Sequence, residues 1–206
     1  MLLPASLSRA RPLPRPAALL VLLLSCAVGA FAAADGPLPT SSEPAYSLEV
    51  EKSKRTLVVR RGDAVTQRFQ IAVGRGGKGD KRIRGDNKTP LGVYHVTELK
   101  TDGMFHLFMR INYPSVKDGY FGLRNRLIDE QQFGRILNAA RQGETPPQDT
   151  RLGGAVGIHG LGEETAERLK IHHYLDWTQG CIALTNHDVT ELAKYVQVGT
   201  KVTIRE

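Results

Sequence analysis

Cysteine is almost missing from this chain of 206 residues: it holds two, and only Cys181 lies beyond the N-terminal segment. That scarcity excludes a disulfide-stapled scaffold and any Cys-x-x-Cys zinc or redox motif. Aromatic residues make up only 6%, with a single tryptophan, and the basic residues are scattered. No basic strip interleaved with stacking aromatics exists, so a nucleic-acid module is excluded. Beyond residue 34 there is no hydrophobic run long enough to span a bilayer, and no internal repeat.

What is present begins with an export pattern. Arg9, Arg11 and Arg15 precede an apolar run from Ala17 to Ala33, with no acidic residue among the first 34. Ala30-Phe31-Ala32 and Ala32-Ala33-Ala34 both fit an Ala-x-Ala cleavage site. Leu23-Leu24-Ser25-Cys26 also resembles a lipobox, with leucine at its suboptimal second position. Ordinary cleavage is the preferred reading. Lipidation of Cys26 and an uncleaved signal anchor remain open, and these are the only expected routes to a membrane. The expected location is the periplasm or cell envelope. The formal charge of +7 includes those three arginines, so removal of the segment leaves +4. Residues 35–45 form a Pro/Ser-containing linker, and 46–206 are long enough for one domain with its own core.

The first half of that domain reads as strands. Tyr46–Val50 and Val65–Val73 alternate, Thr56–Val59 is a β-branched run, and Arg61-Gly62-Asp63 is a turn. Val93–Thr97, Phe105–Ile111, Ala155–His159 and Lys201–Ile204 are further strand candidates. The pattern predicts two helices, Asp129–Arg141 with Gly143 near its end, and Asn186–Val196 with Asn186 as N-cap. The expected fold class is a mixed, β-rich α+β domain. The loop Gly74–Asp80 lacks the Walker pattern, and Lys78–Arg84 reads as a basic, solvated loop that touches polyanion at most.

Cys181 sits in Asp176-Trp177-Thr178-Gln179-Gly180-Cys181-Ile182-Ala183. A buried thiol serving as a small apolar side chain is the bland alternative. An exported protein gains little from an unpaired thiol, however, and its surroundings point to a nucleophile. A thiol attacks as thiolate, and a nearby imidazolium would lower its pKa and later protonate a leaving amine. His159, between an apolar strand and Gly160, is the candidate. Gly160 and Gly180 would let a substrate backbone approach, and N–H groups around Gly180 and Cys181 would form an oxyanion hole.

These segments carry a resemblance. His159-Gly160 followed by Thr178-Gln179-Gly180-Cys181-Ile182 resembles the signature of the L,D-transpeptidase (YkuD-type) catalytic domain, and Gly85–Tyr94 is similar to that family's upstream turn and strand. The resemblance spans Tyr46 to Arg205. It implies a β-sandwich or barrel whose catalytic cysteine lies on a loop preceding a helix. It implies attack by Cys181 on the diamino acid–D-alanine amide of a peptidoglycan tetrapeptide, with His159 as acid and base. Gly160 would orient His159 through its carbonyl, and Thr178 would line the pocket. The thioester would pass to an amine of another stem peptide or of a wall-attached lipoprotein. No cofactor or metal is implied, and carbapenems should acylate the thiol. Ala183 departs from the arginine that most members carry. It is similar to a murein-acting branch that includes a hydrolase detaching lipoprotein from the wall, which leaves amine or water open as acceptor.

Other residues carry weaker readings. Tyr94, Tyr113, His173 and Trp177 are candidates for a substrate groove, each with core packing as its alternative. His172 and His173 lack metal-site spacing. His95 and His106 read as sheet residues, His187 as solvated, and Asp176 as a turn cap or a histidine orienter. Two rival functions stand beside the transferase: a thiol hydrolase of the same fold, and a non-catalytic envelope-binding domain.

Overall fold

The computed structural model of the protein describes residues 46–206; the export segment with Cys26 and the 35–45 linker lie outside the described residues. Alternation in β1 (Tyr46–Glu51) turns Leu48 and Val50 into the core. β2 (Thr56–Arg61) and β3 (Ala64–Gln70) continue as an antiparallel meander, and β3 is an exposed edge that buries only Phe69. β4 (Gly92–Asp102) and β5 (His106–Ile111) form a hairpin, followed in the sheet by β6 (Gly157–His159) and β7 (Ile182–Ala183). The last strand, β8 (Lys201–Arg205), runs parallel to β1 and antiparallel to β4.

The result is one eight-stranded sheet in the order β3-β2-β1-β8-β4-β5-β6-β7. The expected strand Val65–Val73 ends early at Gln70, because the next residues leave β2 to meet the far edge. Ala72 exchanges two backbone hydrogen bonds with Ala183 (3.0 and 2.8 Å), and Gly74 bridges to Thr178. The sheet curls until its two ends touch, which removes most of the open edge at β7. Inside the curl lies the main core, where Tyr94, Ile111, Tyr113, Ile158, Ile182 and Leu184 are fully buried.

Among the described residues there are four helices, two more than the sequence pattern predicts. α1 (Val116–Arg124) carries Gly119 and Gly122, poor helix formers that hide it from propensity. It is held instead by Asp118, whose Oδ2 accepts from the Ser115 N–H and hydroxyl at 2.9 and 2.8 Å, and by packing on α2. α2 (Glu130–Gln142) matches its predicted bounds closely, with an Asp129/Gln132 capping box and left-handed Gly143 as its cap. Ile128, Ile136 and Leu152 form a second, smaller core there. α3 (Ala166–Tyr174) lacks a clean apolar stripe, since Leu169, Ile171 and Tyr174 are exposed. α4 (Asn186–Ala193) is shorter than expected, and its N-cap is Thr185, whose hydroxyl accepts from the Asp188 N–H at 3.1 Å. Asn186 is used elsewhere: its side chain bonds the backbone of Leu161 and Gly162, bracing the loop after His159.

His172 on α3 is 3% exposed, and neither ring nitrogen has a hydrogen-bond partner among the described residues. Burial and then the Arg55 charge hold its pKa below the ordinary imidazole value, against the opposing pull of Asp188 and Glu164. The unfolded chain therefore binds a proton that the folded state resists. This contribution to stability is complete above pH about 6.5 and is lost as pH falls below it. Denaturant titrations should show a lower midpoint at acidic than at neutral pH, and His172→Phe should flatten that slope. Parallel slopes for the two proteins would contradict the assignment.

Candidate active site

Parallel pairing of β6 with β7 sets Ile158 opposite Ile182 and His159 opposite Ala183. Cys181 immediately precedes β7, so the register delivers both candidate side chains to one cleft of about 570 Å³. Trp177, Thr178 and Gly180 line it on one side, and Ala155 on another.

The turn carrying Cys181 is tied from two directions. The Thr178 hydroxyl donates to the Cys181 carbonyl at 2.7 Å and accepts from the Gly180 N–H at 3.1 Å. Thr89, in the upstream turn, donates to the same carbonyl at 3.4 Å and accepts from the Gly74 N–H at 2.8 Å. Gly180 has φ +134°, and a Cβ there would stand 2.9 Å from the Lys88 carbonyl. Only glycine fits this turn.

His159 is 2% exposed and sits among aromatic rings, with Phe105 4.3 Å away between centroids and Trp177 edge-on at 6.2 Å. Its Nδ1 lies 2.6 Å from the Gly160 carbonyl. That oxygen can only accept, so Nδ1 carries the proton and Nε2 of the neutral ring carries the lone pair. Gly160 itself does not line the cleft. A Cβ on it would meet the Asn186 side chain at 2.6 Å and the Phe105 carbonyl at 2.8 Å, so the glycine serves packing rather than substrate approach.

Cys181 is a partly exposed free thiol that donates to the Ala155 carbonyl at 3.4 Å. Loss of solvent pushes its pKa up to about 11, against the smaller lowering by the Gly157 N–H and the charges of Lys81 and Arg110. The expected preformed thiolate gives way to a protonated thiol, because desolvation outweighs the neighbouring cations. A base must remove the proton as the sulfur attacks. The expected oxyanion donors also change: the Gly180 N–H is engaged by Thr178, whereas the Cys181 N–H has no partner among the described residues.

The wall opposite is strained. Ala155 adopts φ +52°, unfavourable for any residue with a Cβ. Gln148 holds it there, its Oε1 accepting from the Ala155 N–H at 2.6 Å while its Nε2 donates to the carbonyls of Tyr113 and Pro146. Left-handed backbone at a non-glycine residue costs about 1–3 kcal/mol, and here it aims the Ala155 carbonyl at the sulfur.

Several sequence candidates lie elsewhere. Tyr94 and Tyr113 are fully buried, bonded through their hydroxyls to Asp118 and the Leu152 carbonyl, and belong to the core rather than a groove. His173 is exposed on α3 and does not line the cleft, whereas Trp177 does. Asp176 accepts from Arg55 and the Val73 N–H and touches no histidine through these bonds. His172 is buried and His173 exposed, so the two rings do not converge on a metal. Among the described residues, no group of three or more His, Cys, Asp or Glu is arranged to hold one. Lys81, expected in a solvated loop, is 4% exposed and lines the cleft. Gln148, Ala155 and Thr89 were invisible as site residues, since their roles arise from loop conformation; only Thr89 stood in a recognisable segment.

The family model of the L,D-transpeptidase catalytic domain (YkuD) matches residues 45–204. Among solved structures, a single-site mutant of the helical cell shape determining protein Pgp2 from Campylobacter jejuni superimposes with a TM-score of 0.51 at 22% identity, covering 80% of this chain and 48% of that one. The same protein without that substitution gives 0.50 at 22% identity, covering 80% and 49%. Bd1075 from Bdellovibrio bacteriovorus gives 0.49 at 19% identity, covering 81% and 50%. The chain spans about half the length of these proteins, and the Pgp2 superpositions show a shared fold. A search of curated protein sequences found no match.

A thiol with its pKa near 11 should be sluggish towards simple alkylating agents. At neutral pH, iodoacetamide should modify Cys181 about 10-fold more slowly than an unperturbed thiol, since the smaller thiolate fraction outweighs the greater nucleophilicity of a more basic thiolate. Peptide mapping of the native protein measures this, and a rate at or above that of free cysteine would contradict the desolvated thiol.

Proposed function

The chain belongs to the L,D-transpeptidase catalytic-domain family, and from that premise we propose that it is an exported cysteine acyltransferase acting on peptidoglycan stem peptides. The observation that carries the reading is the convergence of Cys181 and His159 on one cleft, with the His159 tautomer set by the Gly160 carbonyl. His159 takes the thiol proton as the sulfur attacks the carbonyl between the diamino acid and the terminal D-alanine. The negative charge on the carbonyl oxygen is met by the Cys181 N–H. The C–N bond then breaks, His159 returns the proton to the departing amine, and D-alanine leaves. An incoming amine, from a second stem peptide or from a lipoprotein, gives its proton to His159 and displaces sulfur to form a new amide.

Water can resolve the same thioester, which would make the protein a carboxypeptidase or an amidase that releases lipoprotein. Ala183 favours keeping this second reading. It is fully buried in the sheet seam and offers no guanidinium to an acceptor. A non-catalytic binding domain finds no support in a turn fastened by Thr178 and Thr89 around a thiol.

Two measurements test the reading. Incubation of the purified protein with a tetrapeptide muropeptide should yield cross-linked dimers and free D-alanine. Tripeptide alone would assign it as a hydrolase, and intact substrate would remove the enzymatic reading. Mass spectrometry after carbapenem treatment should place the adduct on Cys181. His159→Ala should slow that acylation by about 10²–10⁴, and an unchanged rate would exclude His159 as the base.

A further inference from the structure

Among the described residues, the cleft has the cations Arg75, Lys81 and Arg84 on its walls and no aspartate or glutamate. Two of them are uncompensated. Arg84 is exposed, and its Nη2 donates to the carbonyls of Gln148 (3.0 Å) and Thr150 (3.2 Å), neutral groups that orient the guanidinium without cancelling its charge. Arg75 is exposed, and its backbone N–H is anchored to the Thr178 carbonyl at 2.9 Å, one turn from the candidate nucleophile. Neither meets a carboxylate among the described residues.

Lys81 is different in kind. It is a buried lysine, rare unless paired, and its Nζ donates to Asp86 Oδ1 at 2.8 Å and the Ile83 carbonyl at 3.1 Å. The Tyr113 ring lies 5.8 Å below it. Asp86 is in turn saturated by the N–H groups of Arg82, Ile83 and Lys88, so this pair is rigid. The third N–H of Lys81 has no partner among the described residues. Its Nζ would stand 3.9 Å from a Cβ on Gly180, beside the nucleophile's turn. Such a cation is placed to donate one charge-assisted hydrogen bond close to the scissile bond.

Two uncompensated arginines beside a lysine with one donor to spare call for an anion, and the place of Lys81 next to the Gly180–Cys181 turn limits where that anion sits on the substrate. The terminal carboxylate of a leaving amino acid is two bonds beyond the scissile nitrogen. Resting on the acyl-transfer reading above, we propose that Arg75, Lys81 and Arg84 form a carboxylate subsite that holds the free C-terminal carboxylate of the departing D-amino acid. The subsite makes the enzyme selective for stems that end one residue after the scissile amide. Stems whose terminus is capped, or carries further residues, lose the contact.

The test compares a tetrapeptide muropeptide bearing a free terminal carboxylate with the same compound as its carboxamide. The unmodified enzyme should process the carboxamide with kcat/KM lower by about 10- to 100-fold, mostly through KM, with the gap narrowing at high salt. Arg75→Gln/Arg84→Gln, which alters only exposed side chains and spares the buried Lys81, should shrink that gap to about threefold or less. Arg75→Lys/Arg84→Lys should restore a substantial part of it. Equal processing of acid and amide by the unmodified enzyme, or a gap undiminished in the glutamine variant, would overturn the subsite while leaving the acyl-transfer reading intact. If neither compound is processed, both fall together.

Discussion

The parallel register of β6 on β7 is the constraint on which the site depends. Side chains alternate faces along a strand, so a slip of one residue would turn His159 away from the cleft. Only two pairs define this register, Ile158 with Ile182 and His159 with Ala183, and so short a ladder needs outside support. It receives that support from both flanks. β5 pairs with β6 through Phe108 and His159, and the chain beyond β3 closes onto Ala183 through Ala72. The curl of the whole sheet is what makes the second contact possible. The geometry of the candidate site and the closure of the sheet are therefore the same structural fact.

Around that ladder, polar groups are arranged to hold backbone rather than to meet solvent. Thr178 and Thr89 converge on one carbonyl, Gln148 pins a left-handed alanine, and Asn186 braces the loop after Gly160. Each satisfies buried or half-buried backbone groups that a loop would otherwise leave unpaired. The outcome is a rigid rim around a thiol kept protonated by its surroundings. A protonated thiol is a poor nucleophile at rest and gains reactivity only when a base removes its proton.

Much of this was legible in the sequence, and the rest was hidden for physical reasons. Cys181, His159 and the flanking glycines announce themselves because residue type carries the chemistry within short segments. β1, β2 and α2 were readable because their burial is periodic and their caps are local. α1 escaped because it is stabilised by packing on α2 and by one carboxylate, against its own propensity. Tyr94 and Tyr113 misled because an aromatic strand residue has the same pattern whether it faces a groove or the core; only the hydroxyl partners, Asp118 and Leu152, decide. Lys81 was unreadable for a related reason. Its burial requires Asp86, the Ile83 carbonyl and the Tyr113 ring together, and that assembly exists only in the fold.

Ala183 and the cationic wall belong to one account of where charge can sit. Position 183 has no exposed surface and is sandwiched between β6 and the returning Ala72 segment. A long guanidinium there would project onto a sheet face that has no exposed surface, on the same face as the paired His159, and would have to be buried. The positive charge of the cleft sits instead on its loops, on the exposed Arg75 and Arg84 and on Lys81, which is paired with Asp86. Desolvation prevails at the sulfur: the Gly157 N–H and the charges of Lys81 and Arg110 oppose the upward shift without reversing it.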